Sequence, residues 1–459
     1  MQERFDSIVV GTGQSGPSLA QRLAQAGQRV AVVERDRFGG TCVNYGCIPT
    51  KTLVASARVA RQVQRAAEYG ILLEGPVRVD LGRVQARKDE IVRASNEGVE
   101  KWLRGTEGVE VVRGHARLAG EGRVRVGERV LSAERIFLNV GTRPFRPELD
   151  GIDSVPTLTN EDMLRLTELP RHLVIVGGSY IGIEFGQMFR RFGSEVTIVE
   201  RGDRILARED PEVSAAVQTI LEAEGVRVLT EAECLALAPH ADGIALGLDC
   251  AQDAPAVVGS HVLLAVGRTP NTDDLGLEEA GVERNDRGHV VVDDELETSV
   301  PGIWALGDCN GRGAFTHTSY NDFEIVAANL LDGERRKVTD RIPCYALFLD
   351  PPLARAGMND REARASGRRV LVGHRRMKHV GRAKEMGETQ GFMRFLVDGE
   401  TQELLGATIL GVGGDEVIHA LIDVMYARAP YTVVSRAVHI HPTVSELVPT
   451  TLQDLEPLE

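Results

Sequence analysis

Two stretches of the chain carry the same alternation of apolar runs, glycines and an acid. Near the start, the run Ser7-Ile-Val-Val10 leads into Gly11-Thr-Gly13-Gln-Ser-Gly16, then an amphipathic stretch over 18–26, then Arg29-Val-Ala-Val-Val33 ending on Glu34. Short runs of this kind predict strands buried on both faces, and the helical period between them predicts a packed helix. The pattern returns as Leu173-Val-Ile-Val176, Gly177-Gly-Ser179-Tyr-Ile-Gly182, a helical stretch to about residue 191, and Glu195-Val-Thr-Ile-Val199 ending on Glu200. First glycine and closing acid are 23 positions apart in both copies. The C-terminal part reads differently. Residues 391–397 and 403–410 are strand-like around Asp398-Gly399, a hairpin signal, and helical stretches follow over 415–428 and 432–438.

In a turn that receives a dinucleotide each glycine has its own duty. The first permits the tight turn, the second lets a pyrophosphate approach the backbone, and the third lets helix pack on strand. The helix N-terminus then offers its free N–H groups and partial positive charge to the phosphates. Glu34 and Glu200 are placed to accept hydrogen bonds from a ribose. Two such units in one chain suit a protein that passes a hydride from one dinucleotide to another. The second copy carries Ser179 where a glycine is expected, a side chain still small enough for close approach. Glu200 favours a free ribose 2′-OH and hence NADH, whereas Arg201 and Arg204 just after it would serve the 2′-phosphate of NADPH.

A chain of 459 residues divides into several domains. Its formal net charge of −14 repels nucleic acid and anionic lipid. The one basic cluster, His374-Arg-Arg-Met-Lys-His379 with Arg382 and Lys384, reads as a solvated strand and turn. No apolar run approaches the roughly 18 residues of a membrane span. The start, Met1-Gln-Glu-Arg-Phe-Asp, lacks the marks of a signal peptide, so a cytoplasmic protein is expected. No metal site is expected. Of six cysteines, Cys234, Cys250, Cys309 and Cys344 read as buried thiols.

Cys42 and Cys47 need a separate reading. They lie in Gly39-Gly-Thr-Cys42-Val-Asn-Tyr-Gly-Cys47-Ile-Pro-Thr-Lys51, ahead of a helical stretch to about residue 67. Cys47 falls at that helix's first turn, where the dipole favours a thiolate. Four intervening residues, Gly46 among them, let the sulfurs approach to disulfide distance. Alone, such a pair is ordinarily structural; beside a nucleotide site it gains a redox reading.

These motifs together resemble the class I pyridine nucleotide-disulfide oxidoreductases, the group of glutathione reductase, lipoamide dehydrogenase and mercuric reductase. The resemblance rests on GGTCVNYGCIPTK (39–51), VPGIWALGD (300–308), VGRTPN (266–271), NVGTRP (139–144) and HPTVSE (441–446), and covers nearly the whole chain. It implies an α/β fold with two Rossmann-like domains, for FAD (1–149 with 271–338) and NAD(P) (150–270), and a C-terminal α+β dimerisation domain (339–459). It implies that Cys47 is the charge-transfer thiol beside the flavin and Cys42 the interchange thiol that meets the acceptor. Lys51, near flavin N5, pairs with Glu184, and Tyr180 is the gate that swings aside for nicotinamide. Asp308 holds the ribityl chain, Gly40, Thr41 and Gly141 contact FAD, His115 passes near the adenine, and Gly267 belongs to the NAD(P) site. His441, its imidazole oriented by Glu446, is the acid/base that a homodimer supplies from its other subunit, with His439 in support.

The acceptor is less constrained. Mercuric reductases carry a C-terminal cysteine pair and a tyrosine where His441 stands; neither is here, which disfavours Hg²⁺. Glutathione reductases place an arginine where this chain has Gln21. The His-Ile-His-Pro string and the NADH preference lean toward lipoamide-like disulfides, and Tyr180 leans the other way. The leading expectation is reduction of a small disulfide by NAD(P)H. The alternatives are a mercury- or copper-ion reductase, a quinone-reducing flavoprotein, and a non-catalytic redox sensor.

Overall fold

In a computed structural model, which describes residues 2–233, 235–248 and 256–458, the chain builds three main sheets. Cys234 and Cys250, expected as buried thiols, lie outside the described residues.

The first sheet is parallel, in the order Ile303–Ala305, Arg135–Leu138, Ser7–Val10, Val30–Glu34, Val109–Arg113. Its central strands Ser7–Val10 and Val30–Glu34 are buried on both faces, which is why they read as unbroken apolar runs. Ile8, Val10 and Val33 pack to one side, and Val9, Val30 and Val32 to the other, against Leu19 and Leu23 of the helix Gly16–Gln25. That helix begins two residues before the expected start because Pro17, lacking an N–H, suits a first turn. The strand Ile303–Ala305 comes after the second unit in sequence, so the chain leaves this sheet and returns to its edge.

The second sheet repeats the arrangement with strands Arg227–Leu229, Glu195–Val199, His172–Val176 and His261–Leu264, all parallel. Its helix Tyr180–Phe192 is buried along most of its length. The third sheet has six antiparallel strands, Cys344–Leu347 at one edge and Leu455–Pro457 at the other. Its central hairpin, Phe392–Asp398 with Leu404–Leu410, turns where Asp398 accepts from the N–H groups of Glu400 (2.8 Å) and Thr401 (3.1 Å). The basic cluster forms the end of the strand Val370–Arg376 and a turn over Met377–His379.

The helix expected over 432–438 stops at Ser435. Val434 and Ser435 are buried, but 436–438 are exposed, so no packing holds a further helical turn. The result is a projecting segment on which Val438 and Ile440 are 101% and 80% exposed.

Buried ion pairs tie the second unit to the C-terminal sheet. Arg191, 5% exposed, reaches Glu224 and Asp350 at 2.6 Å each. Such pairs add little net stability but leave a buried charge stranded when one member goes. Arg191→Met is expected to lower stability by about 3–5 kcal/mol. A urea titration followed by circular dichroism checks this through the fall in midpoint.

Candidate redox site between the nucleotide units

The two glycine turns share a detailed construction. Gly11 has φ +100°, and a Cβ there would sit 2.3 Å from the Asn139 carbonyl oxygen; Gly177 has φ +112° and would meet the Ala265 oxygen at 2.5 Å. A Cβ on Gly16 or Gly182 would strike the oxygen of Gly11 (2.3 Å) or Gly177 (2.0 Å). Ser179 is tolerated because its φ of −95° is ordinary and its side chain is exposed.

The closing acids do more than await a ribose. Glu34 Oε2 accepts from the Thr12 N–H at 3.0 Å and Oε1 from Asp36 at 2.9 Å. Glu200 repeats this with Gly178 at 2.7 Å and Gly202 at 2.8 Å. Each carboxylate fastens its own turn, and each Oε1, with one partner, keeps a lone pair for a ribose hydroxyl.

A cavity of about 1150 Å³ runs from the first turn into the junction of the units. Gly11, Gly13, Glu34 and His115 line it at one end, Gly40, Thr41, Gly141 and Asp308 along its course, and Cys42, Cys47, Lys51, Glu184 and Tyr180 at the junction. Gly16 packs behind the turn. Gly177, Ser179, Gly182, Glu200 and Gly267 belong to the second turn and stand outside this cavity, which their helix enters at Tyr180. The shape and the bare first turn fit FAD. So does the buried Asn139 side-chain nitrogen, which lacks a hydrogen-bond partner and lies near Gly13 and Gly16.

Two of the motifs meet above Asp308. Thr142–Pro144 pairs as a strand with Arg268–Pro270, and Arg268 Nε donates to Thr142 Oγ1 at 2.8 Å. Thr142 Oγ1 in turn donates to Asp308 at 3.0 Å, and burial raises that carboxyl's proton affinity.

Cys42 sits in the short helix Gly40–Asn44, and Cys47 is the first residue of the helix Cys47–Gln64. Both are half-buried free thiols with opposite proton affinities. The hydrogen bond between them brings Cys47 down to about 6, helped by Thr316 and the Lys51 charge against burial and Glu184. The same bond, with burial, pushes Cys42 far up. One proton thus stays on Cys42 and is shared toward a Cys47 thiolate. Lys51 Nζ donates to both oxygens of Glu184, at 2.8 and 2.7 Å, and Glu184 also accepts from the Phe348 N–H at 3.0 Å. Tyr180, at the start of its helix, tilts against Phe315 with centroids 6.1 Å apart, and burial raises its phenol.

His441 is not brought to the sulfurs of its own chain. Its side chain is 79% exposed on the projecting segment, and its Nδ1 lies 2.8 Å from Glu446, itself 16% exposed. Cys309 is buried as expected, its thiol pushed up to about 12 by burial. Cys344 departs from expectation: it is half-buried and lines the cavity, because it opens an edge strand. Sequence reasoning missed Thr316, whose hydroxyl lies 3.0 Å from Cys47 Sγ. Nothing in a local pattern marks a threonine 269 positions from its partner.

Residues 5–322 match the family model described as pyridine nucleotide-disulphide oxidoreductase, and 344–452 match that family's dimerisation domain. The probable pyridine nucleotide-disulfide oxidoreductase RclA of Escherichia coli is 36% identical over 96% of this chain and 97% of its own. A dihydrolipoyl dehydrogenase of Geobacillus stearothermophilus is 33% identical over 96% and 94%. Among solved structures, a Cu(II) complex of the HOCl-induced flavoprotein disulfide reductase RclA from Escherichia coli superimposes with a TM-score of 0.90 at 34% identity, covering 98% of this chain and 99% of that one. Among the described residues no helix is long and apolar enough to cross a membrane.

The split between the sulfurs has a pH signature. Cys47 gains its thiolate as pH rises through about 6, and Cys42 only far above that. Alkylation of the reduced protein with iodoacetamide, resolved by site with mass spectrometry between pH 5 and 9, is expected to label Cys47 first, with a midpoint near 6. Lys51→Met should move that midpoint up, since it removes a cation that favours the thiolate. Equal labelling of both cysteines would contradict the assignment.

Proposed function

The chain belongs to the pyridine nucleotide-disulphide oxidoreductases, and we propose that it uses NADH to reduce a small, lipoamide-like disulfide through Cys42 and Cys47. The observation that carries this reading is the pair of thiols with opposed proton affinities at the junction of two nucleotide units. FAD and NAD(P)H are the family's cofactors. Gly11, Gly13, Glu34, Gly40, Thr41, His115, Gly141 and Asp308 would hold the FAD, which when bound supplies a two-electron link between nicotinamide and sulfur.

The chain's own groups then have separate tasks. Lys51, held by Glu184, puts a fixed positive charge beside the Cys47 thiolate. Cys42, once deprotonated, attacks one sulfur of the acceptor; that S–S bond breaks, a mixed disulfide forms, and the other sulfur is expelled as a thiolate that takes up a proton. Cys47 then attacks Cys42, closing the Cys42–Cys47 disulfide and releasing the second thiol. Overall NADH, a proton and the disulfide give NAD⁺ and two thiols. The partner subunit's His441 would take the proton of Cys42 and return it to the departing thiolate. Its exposure, its bond to Glu446 and the apolar Val438 and Ile440 beside it support a homodimer with shared sites.

NADH is favoured because Glu200, fastened by two backbone N–H groups, leaves a carboxylate where a 2′-phosphate would stand. Arg204 is turned away toward Asp203 and the Ala207 carbonyl. A second reading, a copper-ion acceptor taken by the two sulfurs, is supported by the Cu(II) complex of the similar flavoprotein.

Cys42→Ser tests the relay. It is expected to abolish lipoamide turnover while anaerobic reduction of the flavin by NADH proceeds unchanged. Turnover that survives would end the relay reading, and Cu²⁺ reduction that exceeds lipoamide reduction in the unaltered enzyme would favour the second acceptor. Mixing Cys42→Ser with His441→Ala subunits should restore about a quarter to a half of activity if sites are shared across the dimer, by the statistics of symmetric pairing.

A further inference from the structure

Thr316 reaches Cys47 from a segment held on both sides by one strand, Cys344–Leu347. Phe315, just before it, stacks on Tyr345 with centroids 5.4 Å apart and planes 7° from parallel. His317, just after it, stacks on Phe315 at 5.4 Å and 9°, and its Nε2 lies 2.7 Å from the Cys344 carbonyl oxygen. Tyr345 is anchored in turn. Its hydroxyl donates to Glu209, whose other oxygen takes Arg355 at 2.5 Å, with both charged side chains only 4% exposed. Asp210 lies 3.5 Å from the same guanidinium. Glu209 belongs to the second nucleotide unit, just before the helix Pro211–Ala223, and Arg355 to the C-terminal sheet.

We propose that Tyr345, fixed by Glu209 and Arg355, is a positioning residue that holds Thr316 against the Cys47 sulfur, so that the junction between the second unit and the C-terminal sheet governs that sulfur's readiness to act. A hydrogen bond to sulfur weakens steeply with misalignment, and a hydroxyl on an unclamped segment would lose it. The groups facing Cys47 are Cys42 from the preceding short helix, Lys51 from its own helix, Glu184 from the helix Tyr180–Phe192, and Thr316. Removing Tyr345 changes none of the charges among them. Tyr345 also lines the cavity beside Cys47, so an effect that passes through Thr316 is told from one that passes through burial by its failure to add to Thr316→Val. This role rests on the reading of Cys47 as the flavin-facing sulfur.

The test follows Cys47 in the reduced holoenzyme by two readouts, its site-resolved alkylation midpoint and the pH dependence of the long-wavelength thiolate–flavin band. A band in the unaltered protein checks the reading of Cys47 itself; its absence would remove that reading while the alkylation midpoint still tests the clamp. Loss of the Thr316 bond in Thr316→Val is expected to raise the midpoint by about one pH unit. Tyr345→Ala should give a similar rise, and Tyr345→Phe, which keeps the stacked ring but loses the tether to Glu209, a smaller one. Combining Thr316→Val with Tyr345→Ala should add nothing further, because both act through one bond. An unchanged midpoint in Tyr345→Ala, or shifts that add in the double variant, would overturn the proposal. Should Tyr345→Ala fail to fold with its flavin, Tyr345→Phe carries the test, and an unshifted midpoint there overturns it equally.

Discussion

A thiolate half out of water needs favourable partners on several sides at once, and Cys47 draws them from separate segments. Cys42 donates from the short helix before that of Cys47, Thr316 from a segment far along the chain, and Lys51 adds its charge from one turn further along the Cys47 helix. The helix N-terminus adds its dipole. Lys51 is itself held by Glu184, which reaches in from the second nucleotide unit. Burial and the Glu184 charge oppose the thiolate, yet the net direction is downward. The sulfur that keeps the charge is defined by this asymmetry, since its neighbour Cys42 is pushed the other way by the same contact.

The rest of the architecture brings those segments to one place. Each nucleotide unit fastens its glycine turn with the acid that ends the next strand, so the turn is stiff before any ligand arrives. The first unit opens on the long cavity, and the helix of the second enters it with Tyr180, Ile181, Glu184 and Phe185. Buried pairs such as Arg191 with Asp350, and Arg355 with Glu209, then hold the second unit to the C-terminal sheet. Such a pair adds little net stability, yet breaking it strands a buried charge, which penalises displacement at this junction.

The projecting segment with Val438, Ile440 and His441 has the opposite character. It leaves large apolar side chains and a titratable ring in the open within one chain. Exposed apolar groups beside a polar anchor mark a surface meant to be covered. It lies within residues 344–452, which match the family's dimerisation domain.

Much of this was legible in the residues. Gly11 to Glu34 and Gly177 to Glu200 are local patterns with an invariant spacing, and local backbone sterics decide what such turns accept. Cys42, Cys47 and Lys51 share one short stretch, so their proximity to one another was also readable. The helical period over 432–438 runs past the true end at Ser435, because period alone does not register where packing stops. Thr316, Phe315, Tyr345 and the Glu209–Arg355 pair leave no mark in the local pattern, and nothing there tells the half-buried Cys344 from a core thiol. Their contacts join positions up to 269 residues apart. By itself the sequence determined two nucleotide turns, a cysteine pair and the family, since each depends on neighbours along the chain. That Cys47 keeps the charge was also readable from its place at a helix start, but the Thr316 hydroxyl that favours it, and what holds that hydroxyl, were decided only when folding set distant segments side by side.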